Sequence, residues 1–331
     1  MVAAFDEDGG CLFDFEDTAA SRRSLEQVRE CLRSQDPQQL QHFLQRSPFC
    51  VDGLLTLAEY FRSQNSPEQA SILVRRAVYA IECNFHASFS PFSATGVGRA
   101  SQRPRVRLRL SDDPSWPGWS WLRALWLHMQ GLAGQGMHRT ALEVCKLLLA
   151  TTLPRDPLHV LIWFDYLCLR AKQHDALWRL AACAVPEYRL HGLEQEHLVS
   201  NLEMVLPNFA YSAALAAFLK GGRPPDPAGL NEVCVADVAA PPRAAQEAAE
   251  GGEAADAHAR LMRALLYFPL ALRPLLEEMG AKIHGPSPGG SASREAWSDL
   301  LARPPFSDAA DFQHQRHGAA HGCLCAAYAK R

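Results

Sequence analysis

After the tetrapeptide SPEQ at 66–69, Ala70, Leu73, Val74, Ala77 and Ile81 fall at the i, i+3, i+4, i+7 spacing of one buried helix face. Ala141, Val144, Cys145, Leu148 and Leu149 repeat that spacing. A helix patterned in this way is unstable until its apolar stripe is covered, so it requires helical neighbours. Helix-start signals accompany the pattern. SLEQ at 24–27 and SPEQ at 66–69 both have the form in which a Ser oxygen and a Gln side chain satisfy the first free amides. Asp36-Pro37 and Asp156-Pro157 set a capping acid before a proline at the first helical position, where the missing N–H costs nothing. No run alternates convincingly as a set of strands. An all-α chain is the expectation.

The helices recur. QASI at 69–72, TALE at 140–143 and DALW at 175–178 each open a helix after a short polar turn. Their alanines, Ala70, Ala141 and Ala176, stand 71 and 35 residues apart, close to two and one periods of a helix–turn–helix repeat of about 34 residues. A small residue there lets the partner helix approach closely. The expectation is a degenerate tetratricopeptide-like helical-repeat solenoid with flexible linkers, the missing copy falling where the sequence turns irregular. In these terms residues 1–20 are a flexible acidic lead, with a short docking motif as the sharper reading of Phe5, Phe13 and Phe15. Residues 21–220 are the helical-repeat domain, with an irregular insertion at about 93–118. Residues 221–257 are a low-complexity linker. Residues 258–284 continue the helical domain, anchored by Leu261, Leu265, Leu266, Leu270 and Leu275. Residues 285–331 are a weakly ordered tail.

Charge and length exclude several classes. The 331 residues carry a net charge of −3 and are 48% hydrophobic and 21% charged, without the basic excess of a general nucleic-acid binder. The longest uncharged apolar stretch, Met204 to Leu219, is interrupted by Pro207 and Asn208 and is too short to span a membrane. MVAAFDEDGG lacks the basic region of a secretory signal, so the ten cysteines read as reduced thiols inside a cell. The expected location is the cytoplasm, with the nucleus as a second compartment.

Candidate chemistry is sparse. Cys83 and His86 are two ligands where zinc needs four; His86 reads as a helix-end residue and Cys83 as a small buried side chain. His314, His317, His321, Cys323 and Cys325 are dense enough to ask about metal, but their spacing matches no zinc module, so a surface segment is the default and no metal site is assigned. Residues 103–110 alternate basic and apolar. Extended, they would project Arg103, Arg105, Arg107 and Arg109 to one side, suited to phosphate or an acidic protein surface; a solvated inter-repeat loop is the plainer reading. Nearby, Trp116, Trp119, Trp121 and Trp126 would form a peptide groove or, more commonly, pack between helices. Phosphate-binding, dinucleotide, zinc-protease and serine-hydrolase motifs are all missing. No catalytic residue, cofactor or small-molecule substrate is assigned.

Several long segments carry a resemblance. They are FDFE from Phe13, SPFCVDGLLTLAEYF from Ser47, RRAVYAIECNFHASF from Arg75 and HRTALEVCKLLLATTLPRDPLHVLIWFDYL from His138, followed by LPNFAYSAALAAFL from Leu206 and LLYFPLALRPLLE from Leu265. Together they resemble the transcription-factor-25 family, also known as the ribosome quality control subunit-one family, over residues 12–220 and 258–278. The resemblance implies a non-catalytic accessory subunit of the ribosome-associated quality control complex, working on large ribosomal subunits with stalled nascent chains. Its implied partners are a Listerin-type RING ubiquitin ligase and other quality-control subunits; a ribosomal RNA contact is a separate expectation from the alternation of the arginine stretch, which lies where the sequence diverges from the family. The alternative that the family implies is a nuclear transcriptional repressor or corepressor. Family members usually carry a long basic N-terminal region, nearly all of which this sequence lacks, and the ending AAYAKR reads as a chain stopped inside a helix.

Overall fold

The computed structural model describes residues 2–5, 11–34, 36–89, 106–113, 115–153, 155–182, 202–221, 253–278, 301–303 and 306. The chain divides into two compact units, Met1–Leu167 and Cys168–Arg331, and helices dominate the described residues of both.

In the first unit the helices are α1 (Ala19–Ser34), α2 (Pro37–Arg46), α3 (Val51–Ser63), α4 (Pro67–Glu82), α5 (Gly118–Gly134) and α6 (His138–Thr152), and the boundary falls within α7 (Leu161–Arg170). The start of α2 follows the sequence: the Asp36 carboxylate accepts from the Gln38 N–H at 2.8 Å, with Pro37 in the first turn. The start of α1 does not. Its cap is Thr18, whose hydroxyl accepts from the Ser21 N–H at 3.1 Å, so SLEQ at 24–27 lies inside the helix. Ser66 caps α4 by position, but its side chain makes no capping bond. The buried face of α4 is Ala70, Val74, Ala77, Ala80 and Ile81; that of α6 is Ala141, Leu142, Cys145, Leu148 and Leu149, joined by Thr151 and Thr152. α3 packs on α4, α4 on α5, and α5 on α6.

Three turns share one geometry. Asn65 (φ 54°), Gly136 (φ 79°) and Lys172 (φ 57°) adopt the left-handed conformation after α3, α5 and α7. At each, the following amide reaches back five residues: Ser66 to Phe61, Met137 to Leu132 and Gln173 to Cys168, at 2.8, 2.9 and 2.8 Å. The turn residue itself donates three back, to Arg62, Ala133 and Leu169. This is the Schellman arrangement, which satisfies the last carbonyls of the helix while reversing the chain. The next helix then begins immediately, and its first full-length bond comes from Ala70 to Ser66, Ala141 to Met137 and Leu177 to Gln173. The third equivalent position is therefore Leu177 and not Ala176. Leu177 is fully buried while Ala176 is half-buried, so the sequence register is off by one residue there.

The helix-dominated class expected from the sequence holds, and three short strands accompany the helices among the described residues. β1 (Val2–Phe5), β2 (Cys11–Asp14) and β3 (Val106–Leu108) form a sheet in the order β1-β2-β3. β1 and β2 are antiparallel, pairing Val2 with Asp14 and Phe5 with Cys11; β2 and β3 are parallel, pairing Cys11 with Val106 and Phe13 with Leu108. β3 packs on α6. Between α4 and α5 the described residues hold β3 and an aromatic corner.

The second unit contains α8 (His174–Ala182), α9 (Leu202–Val205), α10 (Pro207–Gly221), α11 (Glu253–Tyr267), a 3₁₀ turn (Pro269–Ala271) and α12 (Leu272–Glu278). Its centre is α10, on which α8, α9 and α11 pack. Ala210, Tyr211, Ala264, Phe268 and Ala271 form a core cluster, and the Tyr211 hydroxyl donates to the Phe268 carbonyl at 2.9 Å where α11 ends. Small residues win over large ones here because they let α10 and α11 approach. Leu261 and Leu266, expected as anchors, are exposed at 42% and 45%, while Leu265, Leu270 and Leu275 pack only at the edge of the cluster. α11 also starts at Glu253, inside the stretch read as a linker. Residues 222–252 and most of the C-terminal tail lie outside the described residues. Among the described residues no helix is long and apolar enough to cross a membrane.

Candidate functional site

The first unit concentrates its aromatic residues at one corner. The chain leaves α4 through ECNFHASF, and Phe85 and Phe89 meet there at a tilt of 56°, with ring centroids 4.7 Å apart. Trp121, on the first turn of α5, meets Phe85 at 6.0 Å and Phe89 at 6.1 Å, both edge-on. Into this corner β2 inserts Phe13, fully buried, 5.1 Å edge-on to Phe89 and 6.1 Å from the His86 ring. Phe15 follows on the same side, 5.9 Å from Trp121 and 6.4 Å from Trp116. Edge-to-face contacts of this kind add about 0.5–1.5 kcal/mol each beyond the area they bury.

Asp14 holds the polar side. One carboxylate oxygen accepts from the Trp116 indole N–H at 3.0 Å and from the Phe15 amide at 2.8 Å. The other lies 3.9 Å from the exposed Arg109 guanidinium, an ion pair worth little in water. The Arg109 amide donates to the Phe13 carbonyl at 2.9 Å, extending the ladder one residue beyond β3.

The residues singled out from sequence fall around this corner unevenly. Arg103 and Arg105 lie outside the described residues, and Arg107 is placed by register alone, opposite Leu12. Arg109 is exposed. Trp116 is not an open groove wall: it is 8% exposed, sits beneath β2 and covers Gly118, where a β-carbon would come within 2.1 Å of its ring. Trp119 is half-buried and donates its indole N–H to the Asp113 carbonyl at 3.0 Å. Trp126 meets Trp163 edge-on at 5.8 Å. Sequence reasoning missed Asp14 and the meeting of Phe13 with Phe89, because the partners are 70 to 100 residues apart. The available signal was the alternation of Phe13, Asp14, Phe15 and Glu16, which has the two-residue period of a strand.

Groups that could do chemistry are engaged structurally. Cys83 is exposed, correcting the buried reading, and its contact with the Tyr79 hydroxyl raises the Tyr79 pKa. His86 accepts from the Ser88 amide at 3.2 Å. Asp156 is buried with φ +41°, and its two oxygens accept from the Val160 and Leu161 amides at 2.8 and 2.9 Å, capping α7 from five residues before its first residue. Burial raises its pKa, against the lowering effect of those two amides. Burial lowers the His128 pKa, helped by Arg75. Among the described residues no group of three or more His, Cys, Asp or Glu could hold a metal ion; His314, His317, His321, Cys323 and Cys325 lie outside them.

Helix pairs joined by like turns, with an aromatic corner that receives an extended strand, define a helix-dominated protein with a small sheet. The chain belongs to the family described as "Transcriptional repressor TCF25", which matches residues 13–297. It is 32% identical over 275 residues to a human protein named ribosome quality control complex subunit TCF25, covering 83% of this chain and 34% of that protein. A mouse protein of the same name is 35% identical over 211 residues, covering 64% and 27%. A Schizosaccharomyces pombe protein named ribosome quality control complex subunit 1 is 27% identical over 216 residues, covering 65% and 29%. The chain thus spans about a third of the length of the curated relatives it matches. No solved structure matches it.

Proposed function

We propose that this chain is a non-catalytic scaffold built of tetratricopeptide-like helix pairs, acting in ribosome-associated quality control. It works on large ribosomal subunits carrying stalled nascent chains and assists their ubiquitination and extraction, alongside a Listerin-type RING ubiquitin ligase and other subunits of the complex. The observation that carries the reading is the match across 83% of the chain to a relative named as a subunit of that complex. The three identical turns at Asn65, Gly136 and Lys172 support the repeat architecture. Its expected compartment is the cytoplasm. The family description as a transcriptional repressor favours a second, nuclear reading.

Affinity capture with and without ribosome stalling separates the two. Enrichment of large-subunit proteins and a RING ligase on stalling is the expected result. Recovery of chromatin proteins, unchanged by stalling, would replace it with the repressor reading. The arginine stretch is the proposed ribosomal RNA contact, supported by the exposure of Arg109. Replacing Arg105, Arg107 and Arg109 with Ala is expected to lower co-sedimentation with large subunits, with a steep salt dependence in the parent from counterion release. Unchanged co-sedimentation at low and moderate salt would leave the stretch a solvated segment.

A further inference from the structure

β2 meets the first unit as a bound peptide would. It carries β1 with it as an antiparallel hairpin partner; beyond that hairpin its attachments are a three-residue parallel ladder to β3, the Arg109 amide bond to the Phe13 carbonyl, and three consecutive side chains. Phe13 and Phe15 enter the aromatic corner, and Asp14 between them takes the Trp116 indole. Backbone pairing for affinity with pockets for alternate side chains is the logic of strand addition to a sheet edge. The walls of the cleft are Phe85, Phe89, Leu108, Trp116 and Trp121. Leu108 and Trp121 lie on β3 and α5, and Phe85, Phe89 and Trp116 on the segments just after α4 and just before α5, elements that also pack without β2: α4 on α5, α5 on α6, and β3 on α6.

We propose that this cleft is a peptide site of the strand-addition type which the chain fills with its own residues 11–16. An extended acidic peptide of the pattern aromatic–Asp–aromatic from another chain takes the same place when that strand leaves. The pattern follows from the walls. Two ring pockets sit two residues apart, and an indole donor with a guanidinium beside it receives the carboxylate between them. The cis copy dominates because a short tether gives an effective concentration on the order of millimolar. An outside peptide competes only once the cis copy is weakened. The inference rests on the geometry of the first unit and stands apart from the ribosomal reading.

The test uses the full chain and a fluorescein-labelled peptide, LFDFEDT, copied from residues 12–18. Fluorescence anisotropy should show the peptide binding the Phe13→Ala/Phe15→Ala chain at least about tenfold more tightly than the parent, whose site is already filled. The same peptide with both Phe replaced by Ala should not bind. Binding no tighter than to the parent, in a variant that keeps parental helicity by circular dichroism, would overturn the proposal. Should the double variant lose its helicity, the Asp14→Ala chain decides, since it frees Trp116 and Arg109 but keeps both rings. Tighter peptide binding to it than to the parent supports the exchange, and equal binding overturns it.

Discussion

Replacing Gly136 with Ala isolates the backbone cost of the turn between α5 and α6. A β-carbon at Gly136 would meet no heavy atom within 4 Å, so neighbours contribute nothing. What remains is the left-handed conformation, φ +79°, which costs an L-residue about 1–2 kcal/mol. The reduced freedom of the unfolded chain returns about 0.4–1 kcal/mol, leaving a net destabilisation of about 1 kcal/mol. For a cooperative unit of 167 residues that is a fall in Tm of about 2–4 °C. Gly131 supplies the control. It also has open space around its β-carbon position but lies within helix α5, so Gly131→Ala should stabilise by about 0.5–1 kcal/mol. Two substitutions of the same chemistry, five residues apart, are thus expected to move the melting curve in opposite directions. Thermal denaturation of the full chain, followed by circular dichroism and tryptophan fluorescence, reads both. If Gly136→Ala raised the Tm as Gly131→Ala does, the turn would not be left-handed, and the likeness of the three turns would fall with it.

At Gly118 a β-carbon would sit 2.1 Å from the Trp116 ring, so Gly118→Ala should displace the indole from Asp14 and cost about 1–3 kcal/mol, visible as a tryptophan emission shift and a lowered Tm. Leu177→Ala should cost about 2–5 kcal/mol because Leu177 is fully buried, whereas Ala176→Leu should cost under about 1 kcal/mol; denaturant midpoints in the reverse order would restore the 35-residue register. Asp156→Asn leaves a single acceptor for the Val160 and Leu161 amides and should destabilise by about 1–2 kcal/mol at neutral pH. The Asp156 pKa is raised by burial, so its contribution is fully present below the ordinary carboxylate value and declines as pH rises through its folded pKa. Stability of the parent relative to the Asn variant should therefore fall on going from about pH 3 to pH 7, and a rise measured by chemical denaturation would show that the two amides outweigh burial.

The sequence by itself determined the helices and most of what they bury. Ala70, Val74, Ala77 and Ile81 on α4, and Ala141, Cys145, Leu148 and Leu149 on α6, are periodic within a few turns, and periodicity is a local property. The same holds for Asp36-Pro37, where cap and helix are adjacent. The helix start after the third turn came out one residue early because DALW resembles TALE in letters, whereas its position is set by the left-handed Lys172, a residue type that gives no sign of that conformation. Tertiary structure alone decided the small sheet and the aromatic corner. A three-residue strand such as β3 is held by its packing on α6, and Phe13-Asp-Phe becomes a strand only because Leu108, Phe89 and Trp121 are brought to it from far along the chain. Those contacts exist only once long stretches of chain are closed into loops, so neither composition nor spacing near Phe13 records them. In the second unit Ala264 displaced Leu261 and Leu266 from the core for a related reason. Hydrophobicity says which residues favour burial, but the distance at which α10 receives α11 decides which of them fit.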